Sequence, residues 1–218
     1  MDHNDNFMPR SRGTLIVVSG PSGTGKNTVL ARLKEKLPEL TYSVSATTRA
    51  PREGEVEGQH YFFMTREEFL RKRELNEFIE TAEFCGNWYG TPRRFIEDCL
   101  EKGTDVILDI EIQGAAQVRR FFPDAVLVFL MPPSIKELRA RLTKRGKDSP
   151  ESVERRLEMS TKETRRVKDY DYVIVNADVE TASDSLYSVV IAEACKVSRC
   201  SYDAFIEALY EEKSSESN

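Results

Sequence analysis

The stretch "SGPSGTGKNT", residues 19–28, decides the fold. A β-branched apolar run, "TLIVVS" (residues 14–19), leads into it, and "KNTVLARLKEKL" (residues 26–37) follows with Val29, Leu30, Leu33 and Leu37 at helical spacing. The first run predicts a strand buried on both faces, the second a helix with one apolar side. Gly20-x-x-x-x-Gly25-Lys26 therefore sits between a strand and the start of a helix. In that context the glycines let backbone N–H groups curl around phosphate oxygens, and the helix N-terminus adds its positive end. Gly20, Ser22, Gly23, Gly25, Lys26, Asn27 and Thr28 are the candidate contacts to a nucleoside triphosphate, with Lys26 bringing a point charge to the β- and γ-phosphates.

Asn27 is the odd residue. The position after the lysine ordinarily offers a hydroxyl to Mg²⁺. An amide carbonyl is also a hard oxygen ligand, but on a longer side chain. Asn27 ligating the metal, Asn27 holding a metal-bound water, and Thr28 supplying its hydroxyl by a small shift are three open outcomes, and a role for Asn27, direct or through water, is favoured.

The chain of 218 residues fits one globular domain with small insertions, and its 39% hydrophobic and 32% charged content suits a soluble protein with a real core. A net charge of −5 argues against a nucleic-acid binder. No apolar run approaches the ~18 residues of a membrane span. Four scattered cysteines, Cys85, Cys99, Cys195 and Cys200, give no metal-binding spacing and read as free thiols in a reducing cytoplasm.

The strand–helix rhythm recurs. "DVILDI" (105–110), "AVLVFL" (125–130) and "DYVIVN" (171–176) predict buried strands, and "EIQGAAQVRRFF" (111–122), "SIKELRARLTKR" (134–145) and "SDSLYSVVIAEACKV" (183–197) predict helices. Alternation of this kind implies an α/β fold with a parallel sheet covered on both faces. Residues 42–91 break the pattern with the strand-like pieces "HYFFM" and "EFIETAEF" around an acidic helix, which predicts an inserted mixed subdomain. Residues 139–171, rich in arginine and lysine around a Gly/Asp/Ser/Pro turn, predict a helical hairpin. Near the C-terminus, Tyr202, Phe205, Ile206 and Leu209 give "SYDAFIEALYEEK" an apolar helical face.

"SATTRAPREGEVEGQHYFF" (45–63) places Arg49, Arg52 and Tyr61 outside any core pattern. Two guanidinium forks and a phenol can bind one phosphate dianion, although the same charges alone would suit a solvated loop. "FIETAEFCGNWYGTP" (78–92) puts Glu80 on an otherwise apolar strand, where a carboxylate needs partners. Guanine offers N1–H and N2–H₂ side by side, a donor pair that a carboxylate accepts and that adenine lacks on that edge. Ser45 or Thr91 could donate to the guanine O6, and Tyr89 could add a phosphate contact.

Taken with "SGPSGTGK", "LDIEIQGAAQVR" and "RLTKRG…ERRL", these motifs resemble the guanylate kinase family, in family order, over roughly residues 13 to 197. The resemblance implies a three-layer P-loop kinase core with a parallel sheet, an inserted mixed α/β GMP-binding subdomain and a small helical lid. The boundaries are core 13–44, 91–133 and 159–198, GMP-binding subdomain 45–90 and lid 134–158, with tails 1–12 and 199–218. It implies transfer of the γ-phosphoryl group of ATP to GMP, and to dGMP, with Mg²⁺ as cofactor. Ser45, Glu80, Thr91 and Glu111 would face guanine, while Arg49, Arg52, Tyr61 and Tyr89 would hold the GMP phosphate. Asp109 would sit on the GMP side at the strand end, near magnesium and its waters. Lys26, Arg49, Arg141, Arg145 and Arg156 would act on the transferring group, the last three from the lid, and Asn176 would lie near the adenine. The family usually has serine at Asn27 and aspartate at Glu111. No histidine is needed as a base, His3 lying in the tail and His60 beside Tyr61. Hinges are expected near residues 45, 91, 134 and 158. A guanylate-kinase-like binding module without turnover, or a kinase for another monophosphate, are the competing readings, and monomer and homodimer stay open.

Overall fold

A computed structural model describes residues 10–84, 86–144, 150–203, 206, 207 and 210. In chain order its strands are β1 (Leu15–Ser19), β2 (Thr41–Tyr42), β3 (Ala46–Thr47), β4 (Phe62–Phe63), β5 (Phe78–Phe84), β6 (Asn87–Pro92), β7 (Val106–Asp109), β8 (Val126–Met131) and β9 (Tyr172–Val175). Its α-helices are α1 (Lys26–Lys36), α2 (Arg66–Glu74), α3 (Arg93–Glu101), α4 (Ile112–Phe121), α5 (Ile135–Lys144), α6 (Pro150–Thr164) and α7 (Val179–Ala194).

β1 is buried along its whole length, the environment its unbroken apolar run demands. It forms the middle of a five-stranded parallel sheet in the order β2-β7-β1-β8-β9. Successive side chains point to opposite faces of a strand. Ile16 and Val18 accordingly pack with Val29, Leu30 and Leu33 of α1 and Leu186 and Val190 of α7. Leu15 and Val17 pack with Ile96 and Leu100 of α3 and Ala115 and Val118 of α4. Two apolar faces, each covered by helices, make the three layers. Leu33 is fully buried, so Leu33→Ala costs about 2–5 kcal/mol. α1 ends where Leu37 turns inward and Pro38 cannot continue the helix. The strand order reverses at β1, since the chain passes from β1 over β7 to β2 and later from β7 over β1 to β8. Crevices at such switch points, beyond the carboxyl ends of the strands, are where α/β sheets bind ligands.

The second sheet has the order β4-β3-β6-β5, with β3 and β4 parallel and the β3–β6 and β5–β6 pairs antiparallel. Phe69 of α2 stacks on Phe78 of β5 with ring centroids 4.5 Å apart, and Ala46 completes this small core. The sequence suggests an acidic helix here, but α2 carries Arg66, Arg71, Lys72 and Arg73 against Glu67, Glu68 and Glu74. Thr65 caps it by accepting the Glu68 N–H at 3.1 Å. The register shifts between Phe78 and Glu80, so that Phe78 pairs with Pro92 and Glu80 with Thr91. Such an irregularity re-aims side chains. Phe78 faces the small core, Ile79 enters the core beneath the main sheet, and Glu80 turns into the cleft between the two sheets.

α5 and α6 pack through Leu138, Leu142, Val153 and Leu157. Arg145 and residues 146–149 between them lie outside the described residues, as do Cys85 and His3. Cys99, Cys195 and Cys200 are free thiols. Tyr202 and Ile206 are exposed, and Phe205 and Leu209 of the same expected apolar face lie outside the described residues. Among the described residues no helix is long and apolar enough to cross a membrane.

Candidate active site

β1 delivers the chain to Gly20, where a Cβ would sit 2.2 Å from the Leu130 carbonyl oxygen of β8 and no side chain fits. Gly23 and Gly25 hold φ of +92° and +90°, a left-handed conformation that glycine adopts without strain. α1 then opens on Gly25 with no side-chain cap. Its first N–H groups are left for a ligand, and the helix dipole favours an anionic one. Lys26 Nζ donates to the Gly20 carbonyl oxygen at 3.2 Å and lies 3.8 Å from Asp109 Oδ1. Asn27 and Thr28 are exposed on the first turn.

Behind the loop a cavity of about 330 Å³ is lined by Gly23, Gly25, Thr28, Arg141 and Asn176. Asn176 is 1% exposed. Its Nδ2 donates to the Thr24 carbonyl oxygen at 2.7 Å, while its Oδ1 has no partner among the described residues. A buried acceptor left open is costly unless a ligand meets it. Arg141 joins the same wall, donating to the carbonyl oxygens of Thr24 at 3.2 Å and Asn176 at 3.0 Å. Arg156 of α6 donates to Ser22 Oγ, so both helices of the pair touch the loop. A larger cavity, about 600 Å³, lies at the opposite ends of the strands, where its charges pair with one another, Arg119 with Asp171 and Arg199 with Glu193.

Asp109 ends β7 with 34% of its side chain exposed. Burial by its surroundings pushes its carboxyl up, Lys26 pulls it down, and Glu111 adds a further upward push. Glu163, on α6, is pushed up first by burial and then by Glu111, again opposed by Lys26. Lys26 thus lowers Asp109 and Glu163, Glu111 raises both, and Asp109 is the carboxylate seen 3.8 Å from the ammonium. Among the described residues no set of three or more His, Cys, Asp or Glu side chains converges as metal ligands. A metal here would draw mostly on phosphate oxygens and water, as Mg²⁺ does.

Across the cleft, Arg49 Nη2 donates to Glu55 Oε1 at 2.8 Å and Nη1 to the Ala50 carbonyl oxygen at 2.7 Å. The guanidinium lies 5.4 Å from the centroid of Tyr61, which meets Tyr89 edge-on at 6.1 Å. Arg52 is exposed, and Ser45 is half-buried just before β3. Deeper in, Glu80 is 6% exposed. The Thr91 hydroxyl donates to Glu80 Oε1 at 2.8 Å. Oε2 lies against Gly114 of α4, where a Cβ would sit 2.8 Å away. Among the described residues no Lys, Arg or His pairs with Glu80. Burial pushes its carboxyl up to about 7, against the lowering effect of the Thr91 hydrogen bonds, and Glu111 adds to the rise. Glu111 occupies the position just before α4 without a side-chain cap hydrogen bond and is exposed. Its charge raises the carboxyls of Glu80, Asp109 and Glu163. His60 Nδ1 accepts the Val56 N–H at 3.0 Å and serves the loop.

A model of the Guanylate kinase family matches residues 12–193. The chain belongs to the guanylate kinase family. It is 50% identical over 195 residues to the guanylate kinase of Desulfitobacterium hafniense strain Y51, covering 89% of this chain and 98% of that one. The guanylate kinase of Halalkalibacterium halodurans is 47% identical over 192 residues, 88% of this chain and 94% of its own. The crystal structure of guanylate kinase from Anaplasma phagocytophilum superposes with a TM-score of 0.71 at 40% identity, covering 88% of this chain and 92% of that one. The three-layer α/β core with a parallel sheet is the fold expected of a guanylate kinase.

Sequence reasoning passed over three residues of this cleft. Glu55 and Gly114 stand inside the motifs that carry the guanylate kinase resemblance, but one looks like a loop charge and the other like a helix-interior glycine. Glu163 lies two helical turns beyond Arg156 on α6, on the same helical side, and that spacing is the signal that could have found it.

Proposed function

We propose that this protein transfers the γ-phosphoryl group of ATP to GMP, giving ADP and GDP. The observation that supports the proposal is Glu80, a carboxylate only 6% exposed that accepts from the Thr91 hydroxyl and pairs with no Lys, Arg or His among the described residues, on the sheet whose β6 carries Tyr89, the partner of Tyr61 and through it of Arg49. Guanine supplies the two adjacent donors that such a carboxylate lacks, and Thr91 or Ser45 can serve the O6. Gly20, Ser22, Gly23, Gly25, Lys26 and Thr28 would hold the ATP phosphates, and the open Oδ1 of Asn176 would accept from the donor base. Arg49, Arg52, Tyr61 and Tyr89 would hold the acceptor phosphate.

Phosphoryl transfer asks for in-line positioning and charge neutralisation more than for covalent chemistry. The GMP phosphate is already ionised, so no side chain has to remove a proton. Arg49 and Arg52 offset repulsion between two anions, while Lys26, Arg141, Arg145 and Arg156 stabilise charge on the moving group. Asn27, and Asp109 through water, would hold Mg²⁺, which when bound with ATP neutralises charge on the β- and γ-phosphate oxygens. Closure of residues 45–90 and 134–158 over both substrates would exclude water as a competing acceptor. Free thiols at Cys99, Cys195 and Cys200 suit a reducing, cytoplasmic setting.

A coupled assay of ADP release with ATP, Mg²⁺ and each of GMP, dGMP, AMP, CMP and UMP tests the proposal. Fast turnover with GMP and slow turnover with AMP, CMP and UMP is expected. Binding of GMP without turnover would place the chain with the non-enzymatic modules of its family instead.

A further inference from the structure

We infer that Glu55 is a positioning residue for the acceptor phosphate, fixing the Arg49 guanidinium and the main chain at Arg52 in one turn. The inference rests on the GMP site proposed above, where Glu55 itself touches no substrate. Each oxygen of its carboxylate has a separate task. Oε1 accepts from Arg49 Nη2 at 2.8 Å, and Oε2 accepts from the Arg52 main-chain N–H at 2.7 Å. The Glu55 N–H in turn donates to the Arg52 carbonyl oxygen at 3.0 Å, closing the turn from both ends. Gly54, at φ +84°, allows the chain to fold back so tightly. The ion pair is well shielded, with side-chain exposure of 15% for Arg49 and 17% for Glu55. The Arg49 hydrogen bond and the Arg52 N–H together hold the Glu55 carboxyl down at about 2, so it stays ionised throughout the working range.

A carboxylate beside a phosphate seat can act in two opposite ways. It can occupy the seat as a rival anion, or it can fix the donors that form the seat. Donor arithmetic favours the second. A guanidinium has five N–H donors. Glu55 and Ala50 use two of Arg49's, and Tyr61 steadies the plane of the fork, so a phosphate can be gripped without displacing Glu55. Without Glu55 the Arg49 fork and the turn that carries Arg52 would have to be ordered by GMP at the moment of binding, at the expense of affinity.

Steady-state kinetics of the full chain with Glu55→Gln and Glu55→Ala test the inference. The isosteric Gln keeps one acceptor of the two, so KM for GMP is expected to rise roughly 10-fold, and roughly 100-fold in the Ala variant. KM for ATP and kcat should move less than about threefold. Guanosine, measured as a competitive inhibitor against GMP, lacks the phosphate, so its inhibition constant should not change in either variant. Unchanged or tighter GMP binding in Glu55→Gln would overturn the inference, as would GMP and guanosine weakening in parallel, which marks a general loss of structure. If the unaltered protein shows no GMP-dependent ADP release, the functional proposal fails on its own account. An active parent with indifferent Glu55 variants rejects the positioning role alone.

Discussion

Residues 19–26 prepare for an anion with main chain, whereas residues 45–91 prepare for one with side chains. In the loop, glycine geometry and an uncapped helix end present N–H groups whose places are set by the backbone itself. Across the cleft, Arg49, Tyr61, Glu80 and Tyr89 come from separate strands and turns, and two of them are held by further partners: Glu55 for Arg49, Thr91 and Gly114 for Glu80. A main-chain grip recognises any polyphosphate tail. A side-chain grip can also recognise a base, but it depends on supports that carry no chemistry of their own.

Lys26 is the charged side chain that the loop itself supplies to the main-chain grip, so the largest effect is expected there. Lys26→Ala should lower kcat about 10²- to 10³-fold with the fold intact by circular dichroism. A fall of less than tenfold would show that the backbone N–H groups suffice, and the contrast between the two grips would be sharper than drawn here.

The base-reading half comes next. Glu80→Gln turns one acceptor into a donor that faces donors, and kcat/KM for GMP should fall about 10- to 100-fold. Burial pushes the Glu80 carboxyl up to about 7, and in the proposed binding mode the guanine donors meet its ionised form. GMP should therefore bind more weakly as pH drops below about 7, approaching tenfold per unit, and this dependence should be absent from the Gln variant. For stability the sign is reversed. The folded state holds the Glu80 proton more tightly than the unfolded chain does, from the ordinary 4.5 up to about 7. Its contribution is full below 4.5 and is lost as pH rises to about 7. Urea unfolding at pH 5 and pH 8 should show the parent losing stability relative to Glu80→Gln at the higher pH. Equal pH dependence of the two proteins would mean that Glu80 is not desolvated as described.

Gly114→Ala probes a support of that grip. The added methyl would meet Glu80 Oε2, a carboxylate that Thr91 and its burial keep from swinging away. KM for GMP should rise roughly 10-fold, with KM for ATP unchanged. No change would show that the Glu80 pocket has slack, making the side-chain grip less exacting than its geometry suggests.

The same contrast governs what could be read in advance. β1, β7, β8 and β9 were legible because strands covered on both faces are written as apolar runs. The phosphate loop was legible because a main-chain grip is local in sequence. β2 has two residues and leaves no pattern. α3 starts at Arg93 behind Pro92 with no side-chain cap, and only Ile96 and Leu100 are buried, so it offered neither a start signal nor a full apolar stripe. Glu80 drew notice as a lone carboxylate, but the register shift that turns it inward depends on Thr91 eleven residues away. Supports such as Glu55 and Gly114 act through three-dimensional neighbours, and neither composition nor periodicity marks them.

The smallest effect is expected at Asn27, inside the main-chain grip. It is exposed on the first turn of α1. Exchange for serine should therefore leave stability within about 0.5 kcal/mol. It replaces an amide carbonyl with the shorter hydroxyl that commonly ligates Mg²⁺ after the loop lysine. Asn27→Ser should leave kcat equal or somewhat raised and lower the Mg²⁺ concentration needed for half-maximal rate at fixed ATP, by no more than about tenfold, the scale of one hydrogen bond or ligand contact. KM for GMP should not move, because Asn27 belongs to the other grip. A large loss of rate on introducing serine would show that the surroundings of residue 27, Asp109 included, are set for the longer amide. The loop would then depend on a side-chain support after all, and the division between the two halves of the cleft would hold for the phosphates but not for the metal.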